Sequence, residues 1–514
     1  MSEPHSKEEI LSLMDNVAVA AVATSAGDGV RIRMMHYATD ENFNIYVATI
    51  KGDPKTIQMT HHPSISLLIL HSGGDINESR EVEISGKALF VREQQERERA
   101  LEMTAKRSPV VKYLTESGNS GMLDCIKVVP DTIKFRIFSE IVQGVPPTVI
   151  EFPQNRQVVS DWQLIKMKLK NWVMALRAPF LTASIVPVLL GTAIAWFASG
   201  TLHWGFFWLT LLAGLLIHMG SNVINDYTDH KSGNDEVNRE FVRPFSGGSR
   251  VIQLGLLTPL EVLTGALFFF LLSSLIGFYL AWARGPLIII LGAIGLLSGA
   301  FYTGGPLNWA KRGIGELLVG LNFGILMTLG TYYVQTQSFS WLPVIAAIPV
   351  SLLIAAVLYV NEFPDYTADK QVGKNTLVVR LGRKRAVLLY ALIMVGVYLS
   401  IGIGVAAAVL PPTTLLGLIT LPLAIRAIQY ARKHHSSSFD LVPANALTVT
   451  VHLATGLLLT LAFAWEALGA QGLSAQGLVS VVILGVIFVG FAIFMYRYIE
   501  RQKNIFLGLK QAVR

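Results

Sequence analysis

The sequence predicts a two-part chain, a small mainly-β N-terminal domain followed by an all-α polytopic membrane bundle of nine to ten transmembrane helices. Three observations predict it. The 514 residues are 52% hydrophobic and only 15% charged, against about 25% charged in an ordinary soluble domain. Beyond residue 178 the apolar residues gather in runs of roughly 20, enough to cross about 30 Å of hydrocarbon. Charge is also divided, because residues 1–160 hold 17 Lys+Arg against 21 Asp+Glu and the remainder holds 25 against 14. The isoelectric point of 9.3 thus belongs to the second part. A basic balance beside apolar runs points to a membrane face or an anionic substrate. No nucleic-acid partner is expected, since the basic residues sit between apolar runs rather than on one soluble face.

The elements follow in order. The first 15 residues have no apolar core and do not read as a signal peptide, which leaves the first domain in the cytoplasm. Segments 16–24, 31–39, 42–49, 64–71, 81–92 and 126–138 are rich in β-branched and aromatic residues, and turn signals such as AGDG (26–29) separate them. Asp53-Pro54 starts one helix with an N-cap and a first-turn proline. The charged stretch 93–106 forms a second. Six such strands imply a closed or nearly closed barrel over residues 1–145. The single cysteine, Cys125, has neither a disulfide nor a zinc partner and reads as a packed thiol. Residues 146–177 read as a proline-bearing linker and a basic, aromatic-rich helix (WQLIKMKLKNWVMALRAPF) lying on the membrane surface.

Ten candidate spans follow, at 178–198, 204–224, 263–283, 286–303, 314–335, 341–361, 386–409, 411–428, 445–466 and 476–496. The main membrane domain covers 178–470, and 471–514 supply an extra helix and a basic tail. With the first span starting inside, the inside loops carry nearly all the Lys and Arg and the opposite loops carry only Arg284. That asymmetry is the positive-inside pattern of a cell (inner) membrane protein. It places the charged motifs on the cytoplasmic side.

Two of those motifs carry chemistry. The second span runs into GSNVINDYTDHKSGND, where Asn222, Asp226 and Asp229 share a helix face, with Asn225 and Asp235 nearby. The sixth runs into VNEFPDYTADKQVGKN, with Asn361, Asp365 and Asp369 at i, i+4 and i+8. Carboxylates at the edge of hydrocarbon are costly to desolvate, so they are read as functional. Paired carboxylate clusters at one membrane level suit Mg²⁺, which shares its coordination with substrate phosphates. Arg239, Arg243 and Arg250 follow the first cluster, and Lys370, Lys374 and Arg380 the second, placed to clamp a diphosphate.

Asn225-Asp226-x-x-Asp229 paired with Asp365-x3-Asp369 resembles the two aspartate motifs of the UbiA-type intramembrane prenyltransferases. NDYTDHKSGND with the following GGSRVI, together with GKNTLVVRLGR, resembles the 1,4-dihydroxy-2-naphthoate branch, which makes menaquinone. FYTGGPLNWAKRGIGE (301–316) is similar to the family's loop after the fourth span. The chain departs from the pattern in three places. Gly233 stands where a third Asp is common, a tenth span exceeds the usual nine, and NEFPDYTAD is not the usual wording of the naphthoate enzymes. The resemblance implies a lateral-access helical bundle that moves a polyprenyl group from its diphosphate to an aromatic acceptor. It places Mg²⁺ on Asp226, Asp229 and Asp235, with a second Mg²⁺ on Asn361, Asp365 and Asp369. Asn222, Asn225, Lys311, Arg312, Lys374 and Arg243 would meet the diphosphate. Tyr302 would shield the allylic cation by its π-face or anchor the chain at the interface. Dihydroxynaphthoate is the expected acceptor. 4-Hydroxybenzoate, homogentisate, a porphyrin or a glycerol phosphate lipid are alternatives, as is a membrane-anchored flavin or haem sensor.

The first domain is similar to the FMN-binding split barrel of pyridoxamine-phosphate-oxidase-like proteins, through GVRIRMMHYATDENFNIYVATIKGDPKTIQM. The resemblance implies an FMN phosphate held by Arg31, Arg33, Thr49, Lys51, Lys55 and Thr56. It also implies a homodimer through the barrel.

Overall fold

The computed structural model describes residues 5–26, 29–72, 74–155, 161–238, 240–242, 245–305, 307–471 and 497. The tenth apolar run, at 476–496, lies outside the described residues, as does nearly all of the segment 471–514. The chain divides into two units, Met1–Trp172 with Val251–Pro259, and Val173–Arg250 with Leu260–Arg514.

In the first unit the β-branched runs form eight antiparallel strands: β1 (Val19–Ala26), β2 (Gly29–His36), β3 (Ala38–Thr39), β4 (Ile45–Ile50), β5 (Ser64–His71), β6 (Arg80–Phe90), β7 (Leu123–Ile137) and β8 (Thr148–Glu151). Their order is β2-β1-β5-β6-β7-β4-β3, with β8 on β7. The two ends of that path, β2 and β3, are separated in the chain only by Tyr37. A sheet whose ends are tied by one residue must curl, so the strands form a half-barrel around one core. Val22, Ile45, Ile69, Val82, Ile84, Ile126 and Phe135 fill it. Tyr37 is fully buried and donates its hydroxyl proton to the Met14 carbonyl at 2.7 Å. The first part of the expected linker, 146–155, is not all linker, because Thr148, Val149 and Ile150 pair with Phe135–Ile133 as β8.

Six helices accompany the strands: α1 (Lys7–Asn16), α2 (Pro54–His61), α3 (Gln94–Ala105), α4 (Pro109–Glu116), α5 (Phe138–Val142) and α6 (Asp161–Ala175). Asp53 caps α2, as its sequence signals. Cys125 is packed in the core, where burial pushes its thiol up to about 11. On α6, Trp162, Ile165, Leu169 and Val173 form an exposed apolar stripe at helical spacing.

His5 links α1 to α5, with Nδ1 3.0 Å from Glu9 and Nε2 3.0 Å from Glu140. Burial lowers its pKa, but the two glutamates outweigh burial and raise it above the ordinary 6.5. A raised pKa adds stability that is complete below 6.5 and lost as pH rises through the raised value. Amide exchange in α1, corrected for intrinsic rates, is therefore expected to be slower at acidic than at alkaline pH. His5→Gln should remove the difference, and an unchanged profile would refute the link.

The second unit is helical: α7 (Thr182–Ser199), α8 (Trp204–Ser232), α9 (Asn234–Val237), α10 (Pro259–Arg284), α11 (Leu287–Ala300), α12 (Gly315–Gly320), α13 (Met327–Thr336), α14 (Trp341–Gln371), α15 (Leu377–Leu381), α16 (Arg383–Ala406), α17 (Leu421–His434) and α18 (Val442–Gln471). Among the described residues, eight helices are long and apolar enough to cross a membrane, with α12 and α13 joined through a π-turn over Leu321–Leu326 into one of them. The fourth expected span, α11, is apolar but only 14 residues long, about 21 Å of helix. The nine-to-ten count therefore resolves into eight full-length helices and this shorter one, among the described residues. Helices α8 and α14 are long, at 29 and 31 residues, about 43 and 46 Å. Their last turns carry the two aspartate motifs.

Candidate active site

The C-terminal turns of α8 and α14 meet at the polar end of a cavity of about 500 Å³. Its other walls are mainly apolar and include Ile217, Ile289, Leu291, Phe323, Met327 and Val357. Asn222, Asn225, Asp229, Asp235, Asn361, Asp365, Asp369, Tyr302 and Lys374 all line it, so the structure brings most of the expected residues together.

Short polar links join the two motifs. Helix α9 follows α8 directly and sends its amides across to α14. Asn238 Nδ2 donates to Asp365 Oδ1 at 2.7 Å, and Asn234 Nδ2 donates to Asp369 Oδ1 at 3.3 Å. Lys374 Nζ stands between the motifs, 3.9 Å from Asp229 and 3.6 Å from Asp369. Its backbone N–H donates to the Asp369 carbonyl at 2.8 Å, closing the turn after α14. Burial works against the Lys374 ammonium, but Asp229, Asp369, Tyr302 and Asp365 hold its pKa well above the ordinary value. Burial, reinforced by the charges of Asp229 and Asp226, pushes Asp235 up to about 8.

Asp226 is arranged differently. It is buried, does not line the cavity, and pairs with Arg177. The Ser249 backbone N–H donates to Asp226 Oδ1 at 3.2 Å, and the Ser249 hydroxyl donates to Oδ2. Arg177 sits in the left-handed region at φ 49°, and Asn222 Nδ2 holds the preceding carbonyl, Leu176 O, at 3.1 Å. Asn222 is thus a positioning residue for Arg177. Gly248 closes the same corner at φ +67°, and a β-carbon there would lie 2.9 Å from Asp226 Oδ1 and 3.2 Å from Arg177 Nη2. Only glycine tolerates both the backbone and the approach.

Asn361 is held by α18. Pro364 lacks an N–H and leaves the Val360 carbonyl of α14 without its helical donor. Asn445 Nδ2 supplies one at 3.1 Å and also donates to Asn361 Oδ1 at 2.7 Å. The Asn361 oxygen expected on a metal is therefore engaged by a neighbouring helix. Lys311 and Arg312 are exposed and outside the cavity lining. Arg250 braces the loop instead of facing the cavity, donating to the Asp235 and Asn238 carbonyls. Arg243 lies outside the described residues. Sequence reasoning missed Arg177, whose signal was the Arg-x-Pro just before the first span, and also Asn234, Asn238 and Ser249.

The oxygen donors suit a hard divalent ion. Asn225 Oδ1, Asn234 Oδ1, Asp235 Oδ2 and Asn238 Oδ1 are buried without hydrogen-bond partners. Among the described residues no three carboxylates, histidines or cysteines already converge as a ligand set. Lys374 and Arg177 neutralise the aspartates in their place.

In the first unit Lys55, Thr56 and Arg33 of the expected FMN set already have partners. Lys55 pairs with Asp53, whose carboxylate caps α2, and Thr56 Oγ1 donates to the Asp53 carbonyl at 2.8 Å. Arg33 donates to Thr24 at 3.1 Å and to Gln58 at 2.9 Å. Thr49 is buried on β4, and Arg31 and Lys51 are exposed at the ends of strands β2 and β4. The carboxylate of Asp53 thus caps the N-terminus of α2 and pairs with Lys55 there.

The profile of the UbiA prenyltransferase family matches residues 184–442. The chain belongs to the UbiA prenyltransferase family. Similar proteins include a 2-carboxy-1,4-naphthoquinone phytyltransferase of Synechocystis, 29% identical over 58% of this chain and 95% of that one. A 1,4-dihydroxy-2-naphthoate octaprenyltransferase of Mycobacterium tuberculosis is 33% identical over 58% and 98%. Another from Bacillus subtilis is 28% identical over 55% and 88%. The chain is thus a membrane-embedded UbiA-family prenyltransferase acting on an aromatic acceptor. The N-terminal unit is similar to a putative pyridoxamine 5'-phosphate oxidase from Listeria innocua, with 26% identity over 26% of this chain and 97% of that one and a TM-score of 0.22.

Proposed function

We propose that this UbiA-family enzyme transfers a polyprenyl group from its diphosphate to 1,4-dihydroxy-2-naphthoate in menaquinone synthesis, with Mg²⁺. The observation that carries the reading is the convergence of both aspartate motifs at the polar end of one apolar cavity. Asp229 and Asp235 from one side, with Asp365 and Asp369 from the other, would hold the metal. Mg²⁺ supplies charge neutralisation for the departing diphosphate. Lys374 stands between the motifs, where the diphosphate oxygens must come. Arg177 moves from Asp226 to the incoming diphosphate, which releases the Asp226 carboxylate. The apolar walls accept the prenyl chain and exclude water, which would quench an allylic cation. Tyr302 lines that space and offers its ring face to the cation. Electron-rich aromatic carbon then attacks the allylic carbon as the bond to the diphosphate oxygen breaks and diphosphate leaves, and the ring regains aromaticity by losing the group on the attacked carbon, the carboxylate of the naphthoate departing as CO2. The N-terminal unit and the aspartate motifs lie on the cytoplasmic side of the cell membrane, following the distribution of Lys and Arg.

Detergent-purified chain, polyprenyl diphosphate, Mg²⁺ and a mixture of the named acceptors test this reading by product mass spectrometry. A prenylated naphthoquinol is the expected product. Prenylated 4-hydroxybenzoate or homogentisate alone would keep the reaction and overturn the acceptor.

A homodimer through the barrel fits the exposed face of the edge strand β2, where Val30, Ile32 and Met34 alternate at 64%, 71% and 68% exposure. Light scattering of the full chain should show a dimer that Ile32→Lys converts to monomer. A wild-type monomer would reject it.

A further inference from the structure

We infer that Glu362 forms a subsite that reads a ring hydroxyl of the aromatic acceptor. The inference rests on the reading of the reaction given above and names a residue that distinguishes the acceptor from the other reactant.

The geometry begins on α14. Leu358, Glu362, Asp365 and Asp369 follow one another along the wall of the cavity. Glu362 lies three residues before Asp365, about 4.5 Å deeper along the helix axis. It therefore stands where the carboxylate end of the cavity gives way to the apolar end. Its side chain is 92% buried, with 8% exposure, and is fixed from behind. Glu316, 3% exposed, lies beside it. Glu316 is itself pinned, since its Oε1 accepts the Leu377 N–H at 3.0 Å. Glu362 Oε2 remains buried with no hydrogen-bond partner. Tyr302 lies on the same wall, its ring packed over Gly315, where a β-carbon would come within 3.1 Å of the phenol oxygen.

A buried carboxylate oxygen without a donor costs free energy that a ligand can recover. The chemistry of the ligand follows by elimination. A diphosphate offers only acceptors and negative charge, and a carboxyl dyad repels it. A prenyl chain has no polar hydrogen at all. The aromatic acceptor has ring hydroxyls, which donate. Its position also agrees with the geometry, because the attacking ring carbon must approach an allylic carbon one bond away from the diphosphate. That carbon lies just deeper than the aspartates, at the level of Glu362. A hydroxyl donating to a carboxylate leaves more electron density on the ring, which favours attack by carbon.

Binding can be separated from turnover. The probes are 1,4-dihydroxy-2-naphthoate and 2-naphthoate, the same acid without hydroxyls, titrated anaerobically into the detergent-solubilised full chain. Wild-type protein is expected to prefer the diol on the order of tenfold to a hundredfold, the range for a hydrogen bond to a charged group. Glu362→Leu should reduce that preference to about twofold or less. Glu362→Gln, which keeps the volume and an oxygen acceptor, should reduce it severalfold and carries the test if the leucine variant does not fold. In turnover, the KM for the diol should rise while the KM for polyprenyl diphosphate stays unchanged. Equal wild-type affinity for the two probes, no binding of either, or a preference that survives both substitutions would overturn the subsite. A diol preference with no prenylated product would instead overturn the reading of the reaction and leave the subsite standing.

Discussion

Replacing Asp365 by Asn is expected to lower prenyl transfer on the order of 10³-fold, the scale of losing a preorganised charge-stabilising group. The carboxylate does two things at once. It accepts Asn238 at 2.7 Å and the Gly247 N–H at 3.4 Å, which fixes the loop after α8, and it faces the cavity beside Asp369. Asparagine keeps the volume and one acceptor oxygen but removes the charge that Mg²⁺ requires. The thermal midpoint should therefore change little while product formation collapses. Chelation of divalent ions should imitate the substitution, and added Mg²⁺ should restore the wild type but not the variant. Unchanged turnover in Asp365→Asn would remove the aspartate motifs from the chemistry and favour a chain whose helices only anchor the N-terminal unit.

The second large effect concerns the pair beneath the cavity. Arg177→Met should destabilise the protein by about 3–5 kcal/mol, the cost of leaving a buried charge without its partner. Asp226 is 2% exposed and has no other cation paired with it among the described residues. Adding Asp226→Asn to Arg177→Met removes the stranded charge and should recover much of the thermal midpoint. Activity should not return, because both groups would then be missing when the diphosphate arrives. Thermal denaturation in one detergent, read beside turnover for both single variants and the double variant, separates the two roles. Additive losses of stability would show that the residues do not act as a pair.

Much of this was legible in the sequence. Apolar runs of bilayer length located the eight membrane-length helices and the shorter α11 among the described residues, because that signal is long and repeated. Paired Asn-x3-Asp starts at the ends of two spans located the polar end of the cavity for the same reason. Asp53-Pro54 located α2, since capping is a local property. The signals failed where a residue's role depends on a distant partner. Asn361 carries the same spacing as Asn222, but the proline three residues later leaves a carbonyl that Asn445 satisfies, some 80 residues away, at 3.1 Å. Lys311 and Arg312 have the charge for a phosphate contact, but their loop turns them outward. Lys55 reads as a phosphate ligand in the sequence, and in the structure it pairs with Asp53, two residues before it. Glu362 stood in the stretch that departed from the usual naphthoate wording, and only its burial beside Glu316 gives that departure a physical meaning.

The lengths of α8 and α14 carry a consequence for how the enzyme meets its substrate. Each is about 13–16 Å longer than the hydrocarbon layer is thick, so the carboxylates can stand at the depth of the lipid headgroups while the remaining turns stay among the acyl chains. A polyprenyl diphosphate dissolved in the bilayer already has its charged group at that depth and its tail below. The relevant concentration is then the number of substrate molecules per unit area of membrane, not per litre. Diluting the lipid with inert detergent or phospholipid should slow the reaction even when the bulk amounts of enzyme and substrate are held constant. The kinetics would be those of encounters in two dimensions.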